Sequence, residues 1–187
     1  MEKLRKLLAA SVLTTVSVLG LHAATLSGVT LPDDAAIGNT KLVLNGLGLR
    51  TKFLIKVYVG GLYLEKKSSD ADSVIKSDSP KRIVLHFLHD VSKTQMADAM
   101  SEAFGNNAPD ASRSMKAEID QLLGALEPVK EGDEMTFTYL PGTGLTLAIN
   151  GKDKVTIAPA AFRVPIFAGW LGPKPPNAGL KKGMLGQ

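Results

Sequence analysis

The segment Val43 to Glu65, reading VLNGLGLRTKFLIKVYVGGLYLE, sets one arginine and two tyrosines inside an otherwise apolar run. Its Val, Leu, Ile and Tyr content is β-prone, and with glycines at Gly46, Gly48, Gly60 and Gly61 it reads as paired strands. Arg50 is the strongest constraint on how they fold. A guanidinium is always charged, and its planar fork of donors matches carboxylates and related oxyanions. Among apolar neighbours it either pairs with an acid of its own chain, such as Asp90 or Glu102, or holds an anionic ligand. The phenol of Tyr58, further along the same run, can also donate a hydrogen bond. On one straight strand Arg50 and Tyr58 would lie roughly 26 Å apart, at about 3.3 Å per residue, so a shared site requires the chain to turn near Thr51 to Phe53.

Ahead of this segment, Lys3, Arg5 and Lys6 precede an apolar stretch from Leu7 to Leu21, broken only by small residues and followed by Ala23 and Ala24. This pattern predicts a secretory signal peptide over Met1–Ala24, with the cut after Ala23 or Ala24. The apolar core is shorter than the roughly 20 residues that span a bilayer. No cysteine follows it for lipid attachment. The expected product is a single domain over residues 25–187, soluble in the periplasm or secreted, with no membrane span. At roughly 160 residues it can bury a core without disulfides, in keeping with a chain that has no cysteine. Half of the net charge of +4 belongs to the signal segment, and the remaining lysines are interspersed with acids. No nucleic-acid face is expected from such a distribution.

Further along, Ser68 to Lys76 fits a short helix closed by Ser79-Pro80. Arg82 to His89 alternates Ile83, Leu85 and Phe87 against Val84, His86 and Leu88, which predicts a strand buried on both faces. Ser92 can cap a helix carrying Met96, Met100 and Phe104 and ending near Gly105-Asn106-Asn107. A second helix is predicted after Pro109-Asp110, striped by Met115, Ile119, Leu122, Leu123 and Leu126. From Glu134 the period returns to two, through Met135–Tyr139, Gly144–Ile149 and Lys154–Ile157, with Asn150-Gly151 as a hairpin turn. A helix starts near Pro165 or is bent by it, and Asn177 can cap a last basic turn through Lys181 and Lys182. Strands, then helices, then strands imply an α+β domain with an antiparallel sheet and helices packed on one face.

The Val43–Glu65 segment, the Trp170-Leu171-Gly172 run and the Lys181-Lys182-Gly183-Met184-Leu185-Gly186 ending together resemble the exported bacterial branch of the chalcone isomerase-like family. The likeness covers nearly all of the mature chain and implies that family's open-faced β-sandwich. In the resembling plant isomerases an arginine on one strand and a threonine on the next lie under the ligand, and a tyrosine and an asparagine on a following helix complete the cleft. Arg50, behind Gly46-x-Gly48-x, takes the arginine position. Tyr58, upstream of Gly61-Leu62-Tyr63-Leu64-Glu65, replaces the threonine. Gln95 or Met96 stands opposite the tyrosine, and Glu102 or Ala103 opposite the asparagine. Gly169-Trp170 replaces a small hydroxyl residue beside an apolar one. These departures argue against cyclisation of a chalcone. The fatty-acid-binding branch of the family uses an arginine and a tyrosine to hold a carboxylate head in an apolar cleft, which makes Arg50 and Tyr58 the expected ligand-binding pair.

Three readings follow. One is a non-catalytic exported binder of a small amphipathic, fatty-acid-like carboxylate held by Arg50 and Tyr58. Another is an isomerase of the intramolecular lyase type, with Arg50 as electrophilic anchor and Tyr58 as proton donor. The third is a structural or interaction protein of the envelope, with Arg50 paired internally, Tyr58 and Tyr63 as core or sheet aromatics, and Trp170 structural. No catalytic residue is assigned by sequence. His86 and His89 point to opposite faces of a strand, so no metal site is expected. Gly46-Leu47-Gly48 lacks the third glycine and the helix of a dinucleotide loop and reads as strand spacing or close backbone approach, so no cofactor is expected. There is no Gly-x-Ser-x-Gly elbow, and without cysteine no thiol nucleophile.

Overall fold

The structure, a computed structural model, describes residues 23–187. The expected signal peptide lies outside the described residues except for Ala23 and Ala24, which open the first strand. That strand, β1 (Ala23–Leu26), pairs with β2 (Val29–Pro32) in a separate hairpin. Seven further strands form one antiparallel sheet in chain order: β3 (Asp34–Ile37), β4 (Thr40–Lys52), β5 (Ile55–Leu64), β6 (Lys81–Phe87), β7 (Glu134–Leu140), β8 (Gly144–Ile149) and β9 (Lys152–Ile157). Helix α1 (Ala71–Lys76) joins β5 to β6, and α2 (Lys93–Asn107), α3 (Pro109–Ser114) and α4 (Lys116–Gly124) join β6 to β7. After β9 a short 3-10 turn leads into α5 (Arg163–Leu171), and α6 (Ala178–Met184) follows.

The strand period sorts side chains into two layers. Met135, Phe137 and Tyr139 of β7 and Leu145, Leu147 and Ile149 of β8 enter the main core, between the sheet and the helices. Their neighbours Thr136, Thr138 and Thr146 face the other way, where Arg82 Nε donates to Thr138 Oγ1 at 2.8 Å and Thr146 bonds Thr156 at 2.9 Å. That outer face is apolar only toward β4 and β5. There the β1–β2 hairpin covers it, bringing Val29 and Leu31 onto Leu42, Leu44, Val59 and Val84. Strand β6 is therefore buried on both faces at Val84 alone. Arg82 and His86 on either side of it are half-buried, His86 bonded to Glu134 at 3.2 Å.

Helix α2 begins as its sequence indicates. Ser92 Oγ accepts from Gln95 N and Gln95 Oε1 accepts from Ser92 N, a reciprocal capping box. The helix predicted after Pro109-Asp110 is instead two, broken at Met115, whose φ of −119° and ψ of 36° leave the helical range. Ser112 and Ser114 hydroxyls donate back to the carbonyls of Ala108 and Asp110, a local alternative that weakens helix continuation. Asn150 and Gly151 take φ of 49° and 72°, the left-handed pair a two-residue hairpin requires.

The close approach read from Gly46-Leu47-Gly48 is a packing of α6 on β4. A Cβ at Gly46 would stand 2.1 Å from the Gly183 carbonyl oxygen, and one at Gly48 2.2 Å from that of Leu180. A Cβ at Gly183 would in turn stand 2.1 Å from Leu47 O. Buried Asn45 fastens the same junction, donating to Met184 O at 2.8 Å and to Ser68 O at 2.9 Å.

Candidate functional site

The chain reverses at Phe53-Leu54, so β4 and β5 form a hairpin and Arg50 lies directly across from Tyr58. Cross-strand partners project from the same face of a sheet. Here it is the helix face, because Tyr58 belongs to the main core and meets Phe87 edge-on, with ring centroids 5.6 Å apart. The pairing slips by one residue between Arg50 and Thr51. Such a bulge leaves a backbone donor without a ladder partner and bends the strand. Asn177 takes that donor, its Oδ1 accepting from Thr51 N at 3.0 Å. The backbone of Asn177 stands at the cap position of α6, but its side chain makes no capping bond. The expected cap residue thus positions the strand beside Arg50.

Between the sheet and helices α2 and α5 lies a cleft of about 370 Å³, bounded by Arg50 and Tyr58 and walled by apolar residues including Leu85, Phe87, Met100, Phe104 and Phe137. Small residues make the room. Ala99 and Ala103 of α2 line the cleft with Gly169 of α5, and a Cβ on Gly169 would meet the Ala103 methyl at 3.7 Å. His89, Asp90 and Gln95 also line it, as do the exposed Lys52, Phe53 and Ile55 of the hairpin tip. The two expected site residues are brought together, whereas Glu102 is not among the lining residues.

Trp170 gives the tyrosine its orientation. Its indole Nε1 donates to the Tyr58 hydroxyl oxygen at 2.9 Å, both groups buried. The phenol thereby accepts from one side and keeps its own proton to donate elsewhere. Burial pushes the Tyr58 pKa above its ordinary value of 10.0, against the pull of the Arg50 charge and the Trp170 bond. At neutral pH it is a donor and not a phenolate. The family resemblance set Gly169-Trp170 at the cleft, while the residue alone read as structural; the fold adds its bond to Tyr58. Arg50 is half-buried with its Cζ 5.8 Å from the Tyr58 ring centroid. Among the described residues it forms no salt bridge, and neither Asp90 nor Glu102 is its partner. An unpaired guanidinium and a proton-donating phenol at the end of an apolar cleft can bind a carboxylate by charge-assisted hydrogen bonds.

At the other end of α5 lies a second cationic cluster, and it is closed. Lys81, fully buried, donates to Ser77 O at 2.7 Å, to Ser77 Oγ at 2.8 Å and to Val74 O, capping the end of α1. Burial lowers its pKa to about 8, with Arg163 acting in the same direction. Arg163 donates to Ser77 O, Ala160 O and Lys76 O at 2.7–2.9 Å and lies 5.4 Å from the Tyr139 ring. Tyr139 in turn donates to the Asp78 carboxylate.

A family model described as chalcone isomerase-like matches residues 23–186. Among solved structures, an Arabidopsis thaliana fatty-acid binding protein is similar, with a TM-score of 0.68 at 16% sequence identity over 88% of this chain and 96% of that one. At that identity the likeness speaks for the fold. No curated protein sequence matches the chain.

Proposed function

The chain belongs to the chalcone isomerase-like family, and from that membership and the geometry of the cleft we propose that it is a non-catalytic binder of a small amphipathic, fatty-acid-like carboxylate. The observation that carries this reading is the Arg50–Tyr58 pair, set side by side at the polar end of an apolar cleft with no internal acid on the arginine among the described residues. The head group sits against the guanidinium and the free phenolic proton, and the tail runs between the sheet and α2. A cleft of about 370 Å³ falls in the lower part of the range for ligand sites, which suits a medium-chain acid better than a long one.

The isomerase reading is supported less. It needs a group that exchanges a proton with a substrate, and burial, by raising the Tyr58 pKa, makes that phenol a poor acid that donates a hydrogen bond and keeps its proton. The structural reading needs an acid on Arg50. Export to the periplasm or medium belongs to the same proposal and is supported by the Lys3 to Ala24 pattern. Among the described residues no helix is long and apolar enough to cross a membrane.

Calorimetric titration with decanoate and with decanol tests the proposal, because the two share a tail and differ in the head. Saturable binding of the acid, at least tenfold tighter than the alcohol, is expected. Equal affinities, or no binding of either, overturn the carboxylate reading. N-terminal sequencing of the protein recovered from outside the inner membrane tests the export, with a start at Ala24 or Thr25 expected.

A further inference from the structure

The turn between β4 and β5 is made of residues that turns do not favour. Lys52 pairs with Ile55, leaving Phe53 and Leu54 as the two turn residues. Phe53 has φ of 56°, in the left-handed region where glycine and asparagine sit easily and a bulky side chain is strained. Burial does not offset that strain. Phe53 is 91% exposed, Leu54 99% and Ile55 47%. A strained phenylalanine in water beside a leucine and an isoleucine is unfavourable in the free protein on both counts, and something that takes up the three side chains would relieve one of them.

What surrounds the tip points to the occupant. Lys52 and Lys56 flank it, both exposed, and among the described residues neither is in a salt bridge. A convex turn of this size offers far less than the roughly 800 Å² per partner of a stable protein interface. A bilayer closes around any shape: Phe and Leu enter the acyl boundary, while lysine stems keep their ammoniums among anionic head groups. The tip also borders the cleft, whose lining includes Lys52, Phe53 and Ile55.

We infer that the Phe53-Leu54-Ile55 tip inserts into an anionic membrane surface and sets the open side of the cleft against the bilayer, where an amphipathic acid can pass between the two. The passage of an acid rests on the carboxylate reading of the cleft; the docking does not. Because the chain has no cysteine, Leu54→Cys carrying an environment-sensitive fluorophore gives a single label at the tip. Asn39→Cys labels the opposite end of β4 as a control. With vesicles of phosphatidylcholine and phosphatidylglycerol, the label at position 54 should shift to the blue while that at 39 does not, and neither should respond to phosphatidylcholine alone. Lys56→Gln should weaken vesicle binding of the unlabelled protein about fivefold, and Leu54→Ser about tenfold or more.

A label at 54 that stays in water, one that shifts equally at both positions, or one protected only by an added protein would overturn the inference. Leu54 does not line the cleft, so Leu54→Ser should keep its decanoate affinity in solution. Decanoate binding without vesicle docking would remove the membrane inference alone. Docking without decanoate binding would remove the carboxylate reading alone.

Discussion

Helix α5 has a cation and a tyrosine at each end, and the two ends differ by one carboxylate. At the Arg163 end, Tyr139 gives its proton to Asp78, Lys81 and Arg163 are spent on backbone carbonyls, and Arg163 comes within 4.0 Å of the Asp78 oxygen. At the Trp170 end, the same kind of ring lies 5.8 Å from Arg50, but the phenol accepts from an indole and keeps its proton, and the space where a carboxylate would complete the cluster is the cleft. At the closed end the protein satisfies the arginine with backbone carbonyls and the tyrosine with a carboxylate of its own. The open end has the same kinds of donor and, among the described residues, no acid on its arginine, and under the proposed function a ligand supplies it.

Exchanging the two arginines for alanine is the sharpest way to break the comparison. Arg50→Ala should weaken decanoate by about 2–3 kcal/mol, of order a hundredfold, with a smaller change in unfolding free energy, because within the protein it loses only its contact with Tyr58 while the proposed carboxylate loses its charged partner. Arg163→Ala should do the reverse, lowering stability by about 2 kcal/mol through its three lost carbonyl bonds and leaving affinity intact. Calorimetry and urea unfolding on both variants read the two effects; loss of affinity in Arg163→Ala would erase the distinction.

The ends also differ in what they titrate. Lys81 has a pKa lowered to about 8 from an ordinary 10.5, so between those values the unfolded chain binds more protons than the folded one. Stability should therefore rise with pH across that window, by about 2 kcal/mol after allowance for solvent screening, and the gain should be absent below pH 8. Lys81→Met should flatten the slope in urea titrations. Tyr58 moves the other way, above 10.0, so decanoate affinity should stay level from pH 8 toward 10 while stability climbs.

Smaller effects sharpen the picture of the open end. Tyr58→Phe should cost about 1 kcal/mol of affinity, roughly fivefold, and Trp170→Phe should cost part of that by freeing the phenol to turn. Lengthening the acid should improve affinity by about 0.8 kcal/mol, roughly fourfold, per methylene until the cleft is full. The chain length at which the gain stops measures the cleft directly.

What the sequence disclosed was what is local or repeats. Period-two runs at Met135–Tyr139 and Gly144–Ile149, the Asn150-Gly151 turn and the Ser92 cap are set by residues within one element, and they stand in the structure. Arg50 and Tyr58 were joined by the family resemblance, and strand geometry added the condition of a turn near Thr51 to Phe53, which the chain makes at Phe53-Leu54. The rest depends on distant partners. The bond from Trp170 to Tyr58, the reach of Asn177 to Thr51 and the burial of Lys81 under Phe167 and Tyr139 need the assembled helix layer to exist. The β1–β2 hairpin on the outer face escaped for a related reason. Val29 and Leu31 are few apolar residues in a short segment, and they become a core only against Leu42, Val59 and Val84.

The seam between α6 and β4 has a consequence in time. Asn45 bonds Met184, 139 residues away, and at the usual pace of translation the stretch between them takes on the order of ten seconds to synthesise. During that interval a ribosome-bound chain has its Gly46-Leu47-Gly48 surface bare and its main core unsealed along one edge. The seam cannot close until Gly183 packs against Leu47 and Gly48, so the fold is completed by the last residues to be made.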